Sequence, residues 1–155
     1  MKIIIYNTYL NEDGAPMLVK ESSHYYPSIN GVSDPLSIVE AMNTIFRHGW
    51  QTEEYMYLMC LTCTNKIIGI FELSHGSLME QVLHPREIFK KAMLCNAAQI
   101  VLTHNHPSGE AMCSNADLTM AKTVAECGKL LKIPLTDHII IARNNYFSFA
   151  TEKLI

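Results

Sequence analysis

Apolar residues in this chain form short runs of strand length, interleaved with stretches where they recur at helical spacing. β-forming residues cluster over 2–10 and 16–21 around Asn11-Glu12-Asp13-Gly14, which predicts a hairpin. Residues 22–33, rich in Ser, Tyr, Pro, Asn and Gly, read as an extended connector. Asp34-Pro35 starts a helix, with Leu36, Val39, Met42, Ile45 and Phe46 at helical spacing to about Arg47 and Gly49 closing it. Tyr55–Leu61 and Ile67–Phe71 are apolar runs around a turn at Asn65 and predict a second hairpin, broken at Gly76. A helix follows from Pro85 to about Asn96, with Ile88, Phe89, Ala92 and Met93 on one face. Ile100-Val101-Leu102 reads as a strand covered on both faces. A further helix near 115–132 turns Leu118, Ala121, Ala125, Gly128 and Leu131 inward, and Ile139-Ile140-Ile141 is the last strong strand. This order predicts α/β layers, a sheet with helices packed on it.

The 155 residues are one domain's worth, with residues 1–33 as an N-terminal hairpin and connector and about 50–150 as the core carrying the motifs. Lys+Arg 12 against Asp+Glu 15 leaves a net charge of −3, which argues against direct nucleic-acid binding through a basic face. No apolar run approaches the ~18 residues of a membrane helix, and Met1–Tyr6 is too short for a signal-peptide core. Five cysteines, odd in number and mostly within apolar stretches, read as the reduced thiols of a cytoplasmic protein. Cys60 and Cys63 have the spacing of half a zinc knuckle, but no second pair exists and i,i+3 on a strand points to opposite faces, so they are assigned to packing. Trp50, beside Gly49, is assigned to the edge of the core.

Seven histidines are what the composition leaves to be explained. His104 and His106 are two residues apart at the end of the Ile100–Leu102 run, so on a strand their imidazoles share one face. Pro107 and Gly109 then turn the chain, and ten residues separate His106 from Asp117, in the first turn of the next helix. Two histidines and a carboxylate with a fourth position open make a catalytic zinc ligand count. Each piece has a plainer reading. An H-x-H arises by chance, Ser114-x-x-Asp117 is also a capping box, and His138 beside Asp137 is either a core histidine or part of a site. His104-Asn105-His106 spells the letters of the HNH nucleases, which spread those residues over a long hairpin, so that match is a coincidence. A zinc deaminase would need H-x-E and P-C-x-x-C, and neither string is present.

The pattern His104-x-His106-Pro107 with Ser114-x-x-Asp117 resembles the JAMM (MPN+, JAB) metalloprotease motif. The fuller wording His104–Gly109, with Leu83-His84-Pro85-Arg86-Glu87 upstream and Asp137-His138-Ile139-Ile140 downstream, resembles the RadC branch of that superfamily over about residues 50–150. Cys113 stands where RadC relatives usually carry Pro, and the expectation is a stand-alone JAB domain without the helix-hairpin-helix segment of longer RadC proteins. The resemblance implies a three-layer α-β-α sandwich with a mixed sheet and a zinc-dependent peptidase or isopeptidase acting on a peptide or protein. His104, His106 and Asp117 would hold Zn²⁺, and Ser114 would hydrogen-bond the oxyanion. The family's general base is a glutamate before an earlier strand. Glu54 fits that pattern, its neighbour Glu53 points the other way, and Glu72 is the rival on the paired strand. Arg86 is a candidate to pin a loop carboxylate, and Ser108 either supports a ligand or caps its turn. The competing implication is a DNA-repair or mobile-element accessory protein whose metal site serves a non-peptide substrate or a binding role.

Overall fold

A computed structural model describes residues 1–76 and 84–155. Its strands are β1 (Lys2–Leu10), β2 (Pro16–Tyr25), β3 (Tyr55–Leu61), β4 (Ile67–His75), β5 (Gln99–Asn105), β6 (Leu135–Ile141) and β7 (Tyr146–Ser148). Helices α1 (Pro35–Phe46), α2 (Pro85–Leu94) and α3 (Asn115–Leu131) alternate with them, and a 3-10 turn spans His48–Trp50. The seven strands form one mixed sheet in the order β2-β1-β4-β3-β5-β6-β7, with β1–β4 and β5–β6 parallel and the other pairs antiparallel. Among the described residues no helix is long and apolar enough to cross a membrane.

Strand periodicity builds the three layers. Tyr57, Met59 and Leu61 alternate with Leu58 and Cys60 along β3, and both sets are buried. The first set joins Val101, Ile139 and Ile141 against Ile38, Val39 and Met42 of α1. The second joins Phe71, Ile100 and Leu102 against Ile88, Phe89 and Val124 of α2 and α3. A strand buried on both faces needs no polar residue in its middle, which is why these runs are continuously apolar.

Several expectations shift. Strand β2 continues to Tyr25, through residues read as connector. It is an edge strand paired only with β1, so Ser22, Ser23 and His24 take part in the ladder without an apolar stripe to advertise it. Helix α1 buries Ile38 and Ala41 with Val39 and Met42, while Leu36 is exposed. It ends at Phe46 with Arg47 left-handed at φ 54°, so Gly49 does not terminate it. A Cβ on Gly49 would lie 2.5 Å from the Ala142 carbonyl oxygen, so glycine is there because the 3-10 turn packs on the end of β6. In α3 the inward residues are Asp117, Ala121, Val124 and Gly128, and Leu131 lies toward solvent. Trp50 is 56% exposed, not part of the core. Cys60 is buried but Cys63 is exposed in the turn after β3. Short β7 closes the far edge with its own polar residues, Tyr146 and Ser148.

Candidate metal centre

Strand β5 runs three residues beyond its apolar stretch, and Thr103, His104 and Asn105 are all fully buried there. Alternation sends His104 to the α3 side with Leu102, and Thr103 and Asn105 to the α1 side. His106 follows the strand at once, its backbone N–H donating to Ile141 O at 3.1 Å, and Pro107 begins the turn. Asp117 arrives from the first turn of α3 and is buried.

One ligand atom each from His104, His106 and Asp117 lies within 4.8 Å of the others. His104 Nε2 is 3.1 Å from His106 Nε2 and 3.3 Å from Asp117 Oδ1. A tetrahedral ion with bonds near 2.0–2.1 Å sets its ligand atoms about 3.3 Å apart, so these spacings suit a shared cation. Each ligand's other polar atom is already engaged. His106 Nδ1 donates to the Glu110 carbonyl at 2.9 Å, which leaves its Nε2 as a lone pair. Asp117 Oδ2 accepts from the Ser114 hydroxyl at 2.6 Å and the Ser114 N–H at 2.9 Å, leaving Oδ1 toward His104. His104 Nδ1 is hydrogen-bonded to His138 Nε2 at 2.8 Å. Burial, with smaller contributions from His106 and His48, pushes His104 down to about 3 against the opposing pull of Asp117. Burial likewise holds His138 well below the usual imidazole range, so both rings are neutral. Neutral imidazole is the form that ligates a metal.

The three expected ligands thus converge, and one of them, Asp117, is also a member of the capping box that starts α3. Glu54 directly precedes β3. Met56 pairs with His104, and continuing that antiparallel register by two residues sets Glu54 opposite His106 on the ligand face. Glu53 falls on the other face. Glu54 is half-buried, and its carboxylate makes no hydrogen bond or ion pair among the described residues. Glu72 pairs with Tyr57, whose face is the α1 side, and its carboxylate is 2.7 Å from His75 Nδ1. The sheet therefore separates Glu72 from the ligands. Arg86 is exposed and donates to its neighbour Glu87 at 3.2 Å, pinning no distant loop. Ser108 Oγ accepts from the Glu110 N–H at 3.4 Å, a contact within its own turn. Leu83 of the upstream motif lies outside the described residues.

One contributor was left open in the sequence, and another went unread. His138 is the hydrogen-bond partner of His104, as just described. Asn105 accepts from the Tyr55 N–H at 2.7 Å and donates to the Glu53 carbonyl at 2.9 Å, so it grips the backbone on both sides of Glu54. Its position between two inward histidines was the available signal, since alternation sends it to the opposite, buried face. Beside the ligand loop, Gly49, Trp50, Gln51, Thr52, Pro107 and Arg143 line a recess of about 260 Å³.

Residues 32–154 match the family of RadC-like JAB domains. A UPF0758 protein of Clostridium acetobutylicum is 43% identical over 103 residues, covering 66% of this chain and 45% of that protein. One from Chlorobaculum tepidum is 39% identical over 105 residues, 68% of this chain and 47% of that protein. A third, from Methanococcoides burtonii, is 35% identical over 127 residues, 79% of this chain and 56% of that protein. The chain spans about half the length of these curated relatives.

Proposed function

Because this chain belongs to the family of RadC-like JAB domains, we propose that it is a zinc-dependent peptidase or isopeptidase acting on a peptide or protein. The observation that carries the reading is the convergence of His104 Nε2, His106 Nε2 and Asp117 Oδ1, each from a side chain whose other polar atom is already occupied. Two imidazoles and one carboxylate are a zinc donor set, and three protein ligands leave a position open for chemistry. When bound there, zinc supplies Lewis acidity toward a carbonyl and lowers the pKa of a coordinated water.

The residues divide the remaining work. Glu54, on the ligand face and free of other partners among the described residues, takes a proton from the attacking water and returns it to the leaving nitrogen. Asn105 holds the backbone on either side of that glutamate. Ser114 is the donor for the carbonyl oxygen as it becomes an oxyanion. Its single hydroxyl proton is given to Asp117 in the resting protein, so serving the carbonyl requires exchanging one anionic acceptor for another. The recess beside Pro107, with Trp50 and Arg143, offers a substrate side chain a place next to the ligand loop.

Metal analysis of chelator-free protein, paired with digestion of a peptide library, tests the reading. The expected result is one zinc per chain and cleavage that His106→Ala abolishes together with the metal. Glu54→Gln is expected to keep the metal and lose turnover by at least the ~10²–10⁴-fold of a general base. Protein that carries well under one zinc per chain, or a Glu54→Gln variant with full turnover, overturns it.

A further inference from the structure

His104 and His138 lie on neighbouring parallel strands, His138 paired with Leu102, two residues before His104 on the same face, and both are fully buried. Their 2.8 Å contact joins Nδ1 of the first to Nε2 of the second. Between two neutral imidazoles only one of these nitrogens carries the proton. If His138 donates, His104 must carry its own proton on Nε2, the nitrogen aimed at His106 and Asp117, and that nitrogen is closed to a metal. If His104 donates from Nδ1, Nε2 is a lone pair. We propose that His138 is a positioning residue of the metal centre, accepting the Nδ1–H of His104 and so fixing the tautomer and ring orientation that present Nε2 to the cation. The inference rests on the metal reading above.

The surroundings of His138 fit a positioning residue rather than a ligand. Its Nε2 is spent on His104, and the ligand atoms that converge are those of His104, His106 and Asp117 alone among the described residues, so His138 is not a fourth ligand. Accepting at Nε2 places its own proton on Nδ1, a buried atom with no partner among the described residues, a desolvation cost that the orientation of His104 must offset. Phe149 stacks on its ring at 4.6 Å and 12°, and the Phe149 N–H donates to the His138 carbonyl at 3.0 Å, holding strand and ring together. The usual acceptor for a ligating histidine is a carboxylate, a backbone carbonyl or water. An imidazole in that place orients the ligand equally well but adds no negative charge to the centre.

The test uses the 155-residue chain and Zn²⁺ alone. Zinc affinity is measured by chelator competition for wild type, His138→Phe and His138→Gln, and ring ¹⁵N shifts are recorded for the zinc-loaded wild type. Phe keeps the stacking on Phe149 but accepts nothing, so a loss of about 10–100-fold is expected. Gln restores an acceptor oxygen and should recover most of that loss. In the zinc-loaded wild type, His138 should be protonated at Nδ1 and bare at Nε2. Wild-type affinity in His138→Phe, or a proton on His138 Nε2 in the loaded protein, overturns the inference while leaving the metal centre standing. Wild type that binds no zinc overturns both. Should His138→Phe fail to fold, the wild-type ring shifts decide alone.

Discussion

The Ser114 hydroxyl donates to Asp117 Oδ2 at 2.6 Å while the Asp117 N–H donates back to Ser114 Oγ at 3.1 Å. This reciprocal pair caps α3, and it also leaves Asp117 Oδ1 as the atom facing His104. One device therefore starts the helix and aims a ligand. Ser114→Ala should cost about 1 kcal/mol through the lost cap and weaken zinc about 10-fold through the loosened carboxylate. Ser114→Thr, which keeps both bonds, should preserve both properties. Chemical denaturation of metal-free protein reads the first effect and zinc competition the second; an Ala variant with unchanged zinc affinity would show that the cap does not aim the ligand.

Asn105 links the two halves of the centre by facing away from both histidines. Replacing it with Ala leaves the part-buried Tyr55 N–H and Glu53 carbonyl without their partner, at about 1–3 kcal/mol in all. The expected phenotype is a marked loss of stability with zinc affinity close to wild type, because the ligands lie on the other face of β5. Denaturant midpoints and zinc titration on the folded variant check it. A variant that loses zinc as readily as stability would mean that the two faces are not independent.

The architecture was legible wherever a strand is covered on both sides, as in Tyr55–Leu61 and Ile139–Ile141, because burial on both faces forces continuous apolarity. It was illegible at the sheet's margins. The outer half of β2 and all of β7 are held by backbone pairing with one neighbour, which selects no particular side chain. At the site, the 104/106/117 pattern could be read because each spacing is local: two residues on a strand and the first turn of a helix. Choosing between Glu54 and Glu72 depends on the register of β3 against both β5 and β4, and the role of His138 depends on a partner 34 residues away on a parallel strand. No one-dimensional period encodes either. Trp50 shows the converse error, since its apolarity suggested a core place while its position at a turn leaves it in solvent.

Burial pushes His48 down to about 4, against the support of its 2.7 Å bond to Gln51. Its ring is packed edge-on against Tyr57, and its Nε2 has no partner among the described residues. The folded chain thus takes up this proton less readily than the unfolded chain, whose histidines titrate near 6.5. Stability contributed here is complete above that value, declines as the pH falls from 6.5 towards 4, and declines no further below. The full span is worth up to about 3 kcal/mol at 1.36 kcal/mol per pH unit. His48→Asn, which can still reach Gln51, should flatten the acid limb of the metal-free protein's stability curve by a comparable amount. Denaturant unfolding at a series of pH values between 4 and 7 measures it, and an unchanged slope in the variant would assign the acid sensitivity elsewhere.

Two opposed effects meet at Gly128, near the end of α3. Alanine there would gain helix propensity of about 1 kcal/mol. Its Cβ, however, would sit 2.6 Å from the Ile133 carbonyl oxygen and 3.2 Å from the Leu135 N, backbone atoms that no rotamer change can move. The turn between them is tied down by the Ile133 N–H donating to Gly128 O at 3.0 Å, with Lys132 left-handed at φ 59°. Overpacking of this kind costs about 1–3 kcal/mol, so the clash outweighs the propensity and Gly128→Ala should be net destabilising. The relief available is to lever α3 off the start of β6. Since α3 carries Asp117 at its other end and β6 carries His138, the same displacement should open the ligand set and weaken zinc binding. Thermal melting with and without Zn²⁺ separates the outcomes: a lower melting temperature together with a smaller zinc-induced rise is expected, whereas a stabilised variant would show that propensity wins and that the turn has room to yield.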